Sequence, residues 1–277
     1  MAPGVAYICV MSMPSVLSHR GKPASTAIPV LAHDVQGLGP PLVLIHPLGG
    51  DRRVWDPVLE PLSTERTVIA VDLPGFGESA PLTETPTPAA LARALDRFLS
   101  GLGLDRAHVA GNSLGGWVAL ELALAGRARS VTAIAPAGLW RGPLAPKRSF
   151  GRIVAGAVLP ILPLLSARAA GRRLLLGGVM VHPDLVPARA AAGIVRAYAK
   201  APAFVATNNA MRARHFGGLD KIDVPVMLGW PDHDRVVSRP TRLPASIHSR
   251  VLIGCGHLPM WDAPDQVARI LLDGSSG

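Results

Sequence analysis

Short apolar runs rich in β-branched residues recur along this chain. Each is followed by a turn of Gly, Pro and polar residues and then by a longer segment with apolar positions three or four apart. Pro41 to His46, Thr67 to Asp72 and Ala107 to Gly111 read as three strands, and Val131 to Ala135, Val224 to Trp230 and Ser249 to Gly254 as three more. Between them, Pro88 to Leu102 places Leu91, Leu95, Phe98 and Leu99 on one helical face. Trp117 to Ala125 is an Ala/Leu-rich stretch that opens at a Gly-Ser turn, and Pro264 to Leu272 closes the chain as a helix. Strands with little polar alternation are what burial on both faces requires. Strands alternating with helices predict an α/β fold, a doubly wound and mostly parallel sheet covered on both sides.

The rhythm stops between about Gly138 and Asp220. Helical pieces rich in Pro, Leu and Arg, such as Ile153 to Ala170 and Pro187 to Lys200, follow one another there without a clear strand. The expectation is a helical cap over residues 138–220, inserted into a core formed by residues 26–137 and 221–277, with residues 1–25 as an N-terminal extension. Val5 to Val10 is apolar but short, with no positive residues before it, so a secretory signal is not expected. The longest apolar stretch, Ile153 to Leu165, is interrupted by Pro160 and Pro163 and is too short to span a bilayer.

Composition narrows the class. A chain of 277 residues with 49% hydrophobic content can bury a sizeable core, which argues against disorder. Its two cysteines, Cys9 and Cys255, lie far apart and show no C-x-x-C spacing. A disulfide framework or zinc site is therefore not expected, and a reducing, cytoplasmic setting is. Between Arg141 and Lys221, thirteen Arg and Lys face only Asp184 and Asp220, a net +11, so the rest of the chain carries −2 of the total +9. That imbalance admits two readings, a solvated Arg-rich face or an attraction for anionic substrates or an acidic membrane surface. Few aromatics interleave the basic stretch and no recognition motif accompanies it, so nucleic acid is not an expected partner.

Chemistry in an open parallel sheet gathers at the carboxyl ends of the strands. The first strand ends in His46-Pro47-Leu48-Gly49-Gly50 and the second in Asp72-Leu73-Pro74-Gly75-Phe76-Gly77. The third ends in Gly111-Asn112-Ser113-Leu114-Gly115-Gly116, the late strands in Pro231-Asp232-His233-Asp234-Arg235-Val236-Val237 and Gly254-Cys255-Gly256-His257. A serine between glycines at a strand-to-helix turn has its hydroxyl lifted clear of the sheet, beside the free N–H groups of the helix start. The alternative for such a turn is a serine that merely caps the helix. Acyl transfer needs more than the serine. An imidazole must take its proton, a carboxylate must orient the imidazole, and N–H donors must meet the oxyanion.

With these motifs in this order, the chain resembles the α/β-hydrolase family from about His33 to Leu272. The resemblance implies Ser113 as nucleophile, His257 as base, and the backbone N–H groups of Leu48 and Leu114 as the oxyanion hole. His46 takes the family's loop-organising place, with Pro47 where glycine is usual. Two registers compete for the acid. Counting three residues on from Gly229 points to Asp232, whereas Asp-Arg-Val-Val matches the family pattern better and points to Asp234. Asp72 is assigned to the Gly75/Gly77 turn and Cys255 to packing.

A serine nucleophile disfavours the haloalkane dehalogenases and epoxide hydrolases of the family, which use aspartate there. The expected activity is cleavage of an ester-type bond in a small-molecule or acyl substrate through an acyl-enzyme, with no cofactor and no metal. Carbon–carbon bond hydrolase, acyltransferase and cofactor-free perhydrolase are alternatives on the same residues, the first through the likeness of the elbow at Asn112. A non-catalytic binding protein on the same fold is a further alternative.

Overall fold

The computed structural model describes residues 30–145 and 150–276. The extension expected at 1–25, with Cys9, and the basic residues Lys147 and Arg148 lie outside the described residues.

The strands are β1 (His33–Gln36), β2 (Pro41–Ile45), β3 (Thr67–Val71), β4 (Ala107–Asn112), β5 (Ala128–Ile134), β6 (Val226–Pro231) and β7 (His248–Leu252). They form one sheet in the order β1-β3-β2-β4-β5-β6-β7. Only β1 runs antiparallel, along β3; every other neighbouring pair is parallel. Six of these seven are the predicted strands, shifted by a few residues at their ends.

The helices of the core are α1 (Asp56–Ser63), α2 (Pro88–Gly101) and α3 (Leu114–Leu124). Between β5 and β6 lie α4 (Phe150–Ala157), α5 (Leu162–Ala167), α6 (Ala169–Leu176), α7 (Ala188–Lys200) and α8 (Phe204–Arg212). The short α9 (Pro259–Asp262) and α10 (Pro264–Gly274) complete the chain. The expected single helix from Ile153 to Ala170 is three helices. Pro160 sits in a 3-10 turn between α4 and α5, and Pro163 falls in the first turn of α5, where its missing N–H costs nothing.

Alternation along the strands feeds two cores. Val43, Ile45, Ile69 and Val71 point to one face and pack with Leu91, Leu95, Trp117 and Val118 of α2 and α3. Leu42, Leu44, Val68 and Ala70 point to the other and pack with Val58, Leu62, Val267 and Leu271 of α1 and α10. β4 is buried along its whole length, as a central parallel strand must be. α3 is buried on nearly every side, so its sequence is apolar all round rather than amphipathic. The two ends of the helical insertion meet where Phe216 N–H donates to the Gly138 carbonyl at 2.8 Å and the Trp140 indole to the Arg214 carbonyl at 2.7 Å.

Candidate active site

The turn from β4 into α3 is tight because glycines surround it. A Cβ at Gly111 would run into the Gly115 backbone, and one at Gly115 into the Ile45 carbonyl oxygen. The start of α3 can therefore approach the end of β2 only with glycine there. Ser113 is forced to φ 56° and ψ −113°, a conformation that costs a non-glycine residue about 1–3 kcal/mol. Its surroundings hold it there. Its N–H donates to the Ile134 carbonyl (2.9 Å), and its carbonyl accepts from Trp117 (3.1 Å) and Ala137 (3.0 Å). The hydroxyl does not cap α3, and it makes no hydrogen bond among the described residues. Ser113 is 5% exposed. The N–H groups of Leu114 and Leu48 likewise have no acceptor among the described residues.

His46 is fully buried and supports the loop that carries Leu48. Its Nε2 accepts from the Leu73 N–H at 2.9 Å, which leaves Nδ1 to donate to the Pro47 carbonyl at 2.8 Å. Burial lowers its pKa, outweighing the Pro47 bond and the charges of Asp72 and Asp51, and keeps the ring neutral. Asp72 serves the neighbouring turn as expected. It accepts from the Arg52 N–H (2.7 Å) and guanidinium (2.5 Å) and from the Glu78 N–H (2.9 Å). Asn112 donates its side-chain amide to the Ile134 carbonyl at 3.1 Å, tying the end of β4 to β5.

Beyond β6 the two candidate aspartates part company. Asp234 Oδ2 lies 2.8 Å from His257 Nδ1, with both side chains nearly out of solvent (4% and 7% exposed). Asp234 Oδ1 accepts from the Val236 and Val237 N–H groups at 2.7 and 3.1 Å. Burial acts to raise the Asp234 pKa. The His257 hydrogen bond and charge and the two amides outweigh it, so the group stays below the ordinary carboxylate value. Asp232 does not reach His257 by any hydrogen bond; it accepts from the Gly254 and Cys255 N–H groups at 3.0 and 3.1 Å and so shapes the loop after β7. Cys255 is buried, and burial together with the nearby carboxylates of Asp232, Asp262 and Asp234 pushes its thiol up to about 12. It is no thiolate nucleophile at neutral pH.

Three residues that the motifs did not single out also bear on the site. Asp262, at the end of α9, accepts from the Gly256 N–H (2.8 Å) beside His257 and from the Val181 and His182 N–H groups of the insertion, binding the histidine loop to it. Tyr198 of α7 and Phe204 of α8 stand over the loop after β2. A Cβ at Gly49 would lie 2.7 Å from the Tyr198 ring and 3.0 Å from Phe204. The only hint in the sequence is their being aromatic in a segment that is poor in aromatics. A cleft of about 380 Å³ between Gly177–Pro183 and the acid loop brings Arg173, His233 and Arg235 together next to Asp234. Among the described residues, no group of three His, Cys, Asp or Glu side chains is placed to hold a metal ion.

A family model described as the alpha/beta hydrolase family matches residues 42–270. The chain belongs to the alpha/beta hydrolase family. Epoxide hydrolase EphH of Mycobacterium tuberculosis is 38% identical over 199 residues, 66% of this chain and 92% of that protein. Among solved structures, a membrane phospholipase A described as a bacterial virulence factor is 29% identical. That match covers 88% of this chain and 83% of the other, with a TM-score of 0.68. The enol-lactonase of Burkholderia xenovorans LB400 is 21% identical over 89% of this chain and 96% of its own, with a TM-score of 0.70, a likeness of fold. This α/β hydrolase is thus a member of a hydrolytic enzyme family, and its strand-end loops carry the groups from which an active site can be built.

Proposed function

We propose that this α/β hydrolase is a serine hydrolase that cleaves an ester-type bond of a small-molecule or acyl substrate through an acyl-enzyme. The observation that carries the reading is the pairing of His257 Nδ1 with the buried Asp234 carboxylate at 2.8 Å, at the same edge of the sheet as the strained Ser113 turn. Asp234 holds the proton on Nδ1 and leaves Nε2 as the base. In this reading Ser113 Oγ attacks the carbonyl carbon as its proton passes to His257. The oxyanion is met by the Leu48 and Leu114 N–H groups, and the alcohol departs with the proton from His257. Water repeats the sequence and frees the acid. Residues 138–220 form the cap, with Tyr198 and Phe204 as the roof over the oxyanion loop.

The relative named an epoxide hydrolase favours a second substrate class. Attack by Ser113 Oγ on an epoxide carbon would leave an alkyl ether on the serine, with no carbonyl for water to attack, so that route ends after one turnover. An epoxide is opened catalytically here only by water that His257 deprotonates, without Ser113. One set of proteins tests both readings. A fluorophosphonate probe labels the parent and not Ser113→Ala or His257→Ala, and Ser113→Ala loses ester turnover. Ester turnover that survives in Ser113→Ala refutes the acyl-enzyme, and epoxide turnover that survives in it while ester turnover is absent from the parent selects the second reading.

A further inference from the structure

The helical insertion presents a surface that neither the core nor the site uses. From Ile153 to Ala167 the chain has no charged residue. One side of this segment, with Ala155 and Leu162, is buried and packs on α7. The other side faces solvent. Phe150, Ile153, Val154, Ile161 and Leu164 expose 72, 69, 45, 51 and 57% of their surfaces; the first three fall within one turn of α4 and the last two lie three residues apart in the following segment. α4 and the following Leu159–Ala167 segment meet at a bend of 49°.

Charge says what this face fits. No acidic residue occurs between Glu121 and Asp184, whereas Arg152, Arg168, Arg172 and Arg173 flank the apolar stripe. Arg152 is engaged with the Ala201 carbonyl and the Phe204 ring, Arg172 with the carbonyls of Ser166, Ala167 and Asp184, and Arg173 with the Asp184 carboxylate. The exposed Arg168 side chain makes no hydrogen bond or ion pair among the described residues. A second copy docked face to face would set two +11 segments against each other, which the charge opposes. An anionic lipid surface receives both the stripe and its cationic border.

We propose that the face formed by Phe150, Ile153, Val154, Ile161 and Leu164 docks on the surface of a bilayer containing anionic phospholipid, with Arg168 among the lipid phosphates. The segment lies in the headgroup region and does not cross the membrane, because its other side is held on α7 and its fifteen uncharged residues are fewer than a span needs. The docked helix is one side chain from the catalytic loop: a Cβ at Gly151 would touch the Tyr198 hydroxyl at 3.5 Å, and the Tyr198 ring stands over Gly49. This inference goes beyond the ester-hydrolase reading and does not rest on it.

The test is flotation of the full-length Ser113→Ala protein with phosphatidylcholine vesicles, with and without phosphatidylglycerol, so that binding is read without hydrolysis. The protein binds vesicles with phosphatidylglycerol at least about tenfold more tightly, less so at high salt. Ile153→Asp with Leu164→Asp lowers that affinity at least about tenfold at unchanged melting temperature, and Arg168→Glu lowers it roughly fivefold or more. The proposal is overturned if the protein floats with neither vesicle, or if the double variant binds as well as its parent. A lipid-free dimer dissolved by the same two substitutions overturns it in favour of a second copy. Failure of ester turnover in the serine-containing protein refutes the activity and leaves the flotation result standing.

Discussion

Asp234 and Asp232 lie two residues apart in one loop, and the structure predicts opposite consequences for neutralising them. In Asp234→Asn the side-chain carbonyl can keep the Oδ1 position, still accepting from the Val236 and Val237 amides, so the loop holds its shape. The new NH2 group then occupies the Oδ2 position facing His257 Nδ1. Two donors cannot share a hydrogen bond, so the imidazole moves its proton to Nε2 and can no longer accept one from Ser113. The buried imidazolium formed during attack also loses its countercharge. Loss of tautomer and charge together is expected to lower kcat about 10⁴-fold, roughly 5 kcal/mol of transition-state stabilisation, with KM little changed. Asp232→Asn keeps one acceptor for the Gly254 and Cys255 amides and turns its NH2 toward the other, but the loop is exposed enough for water to take that amide. This variant is expected to change kcat no more than about fivefold and stability by less than about 1 kcal/mol. The assay is steady-state hydrolysis of a soluble ester together with the rate of fluorophosphonate labelling and the melting temperature of each variant. An Asp234→Asn protein with more than about a tenth of parent kcat, or an Asp232→Asn protein as inactive as Ser113→Ala, would refute the assignment.

Ser113→Gly should remove both the hydroxyl and the strain at φ 56°. It is expected to abolish labelling while raising stability by about 1 kcal/mol, read as a higher melting temperature; a lower one would mean the turn is not strained. Gly115→Ala drives a methyl into the Ile45 carbonyl and separates α3 from β2. It should cost more than about 2 kcal/mol and at least tenfold in kcat, and an active, stable alanine variant sinks the close-approach argument. His46 is buried neutral with a pKa lowered from 6.5, so the unfolded chain binds the extra proton first. Its stabilising effect is complete above about pH 6.5 and is lost as pH falls below it towards the depressed folded-state value. Denaturant midpoints followed downward from pH 7 should fall in the parent and fall less in His46→Gln; equal slopes would exclude His46 as the acid-sensitive group.

What could be read without the structure divides along physical lines. Strands buried on both faces leave a strong signature, and the runs at Pro41, Thr67 and Ala107 start where their strands do. β1 left none, because His33-Asp34-Val35-Gln36 is an exposed edge with three of its four residues facing solvent. It is fixed by its register against β3, a long-range pairing invisible to local periodicity. The insertion was legible as helical but not in its breaks, since a proline in the first turn of a helix and a proline between two helices look alike in sequence. α8 escaped because Asn208 and Asn209 weaken its pattern while packing of Phe204, Thr207 and Met211 holds it.

At the site, motifs found the groups that turns must place, and failed where a side chain decides. Ser113 and His257 sit in a glycine-framed elbow and a Gly-His turn, so the family resemblance could single them out from sequence. The acid hangs from a loop with a carboxylate at both Asp232 and Asp234, and either register is compatible with the chain. The choice is made by hydrogen bonding across the sheet edge. Two amides after β7 claim Asp232, two amides within its own loop claim one oxygen of Asp234, and the oxygen left over is the one that meets His257. The same division explains Tyr198 and Phe204. Their place over Gly49 depends on how α7 and α8 pack back onto the core, which no local pattern encodes. If the proposed ester hydrolysis holds, variation at Tyr198 and Phe204 should change which esters are cleaved while leaving the labelling of Ser113 by a small probe intact.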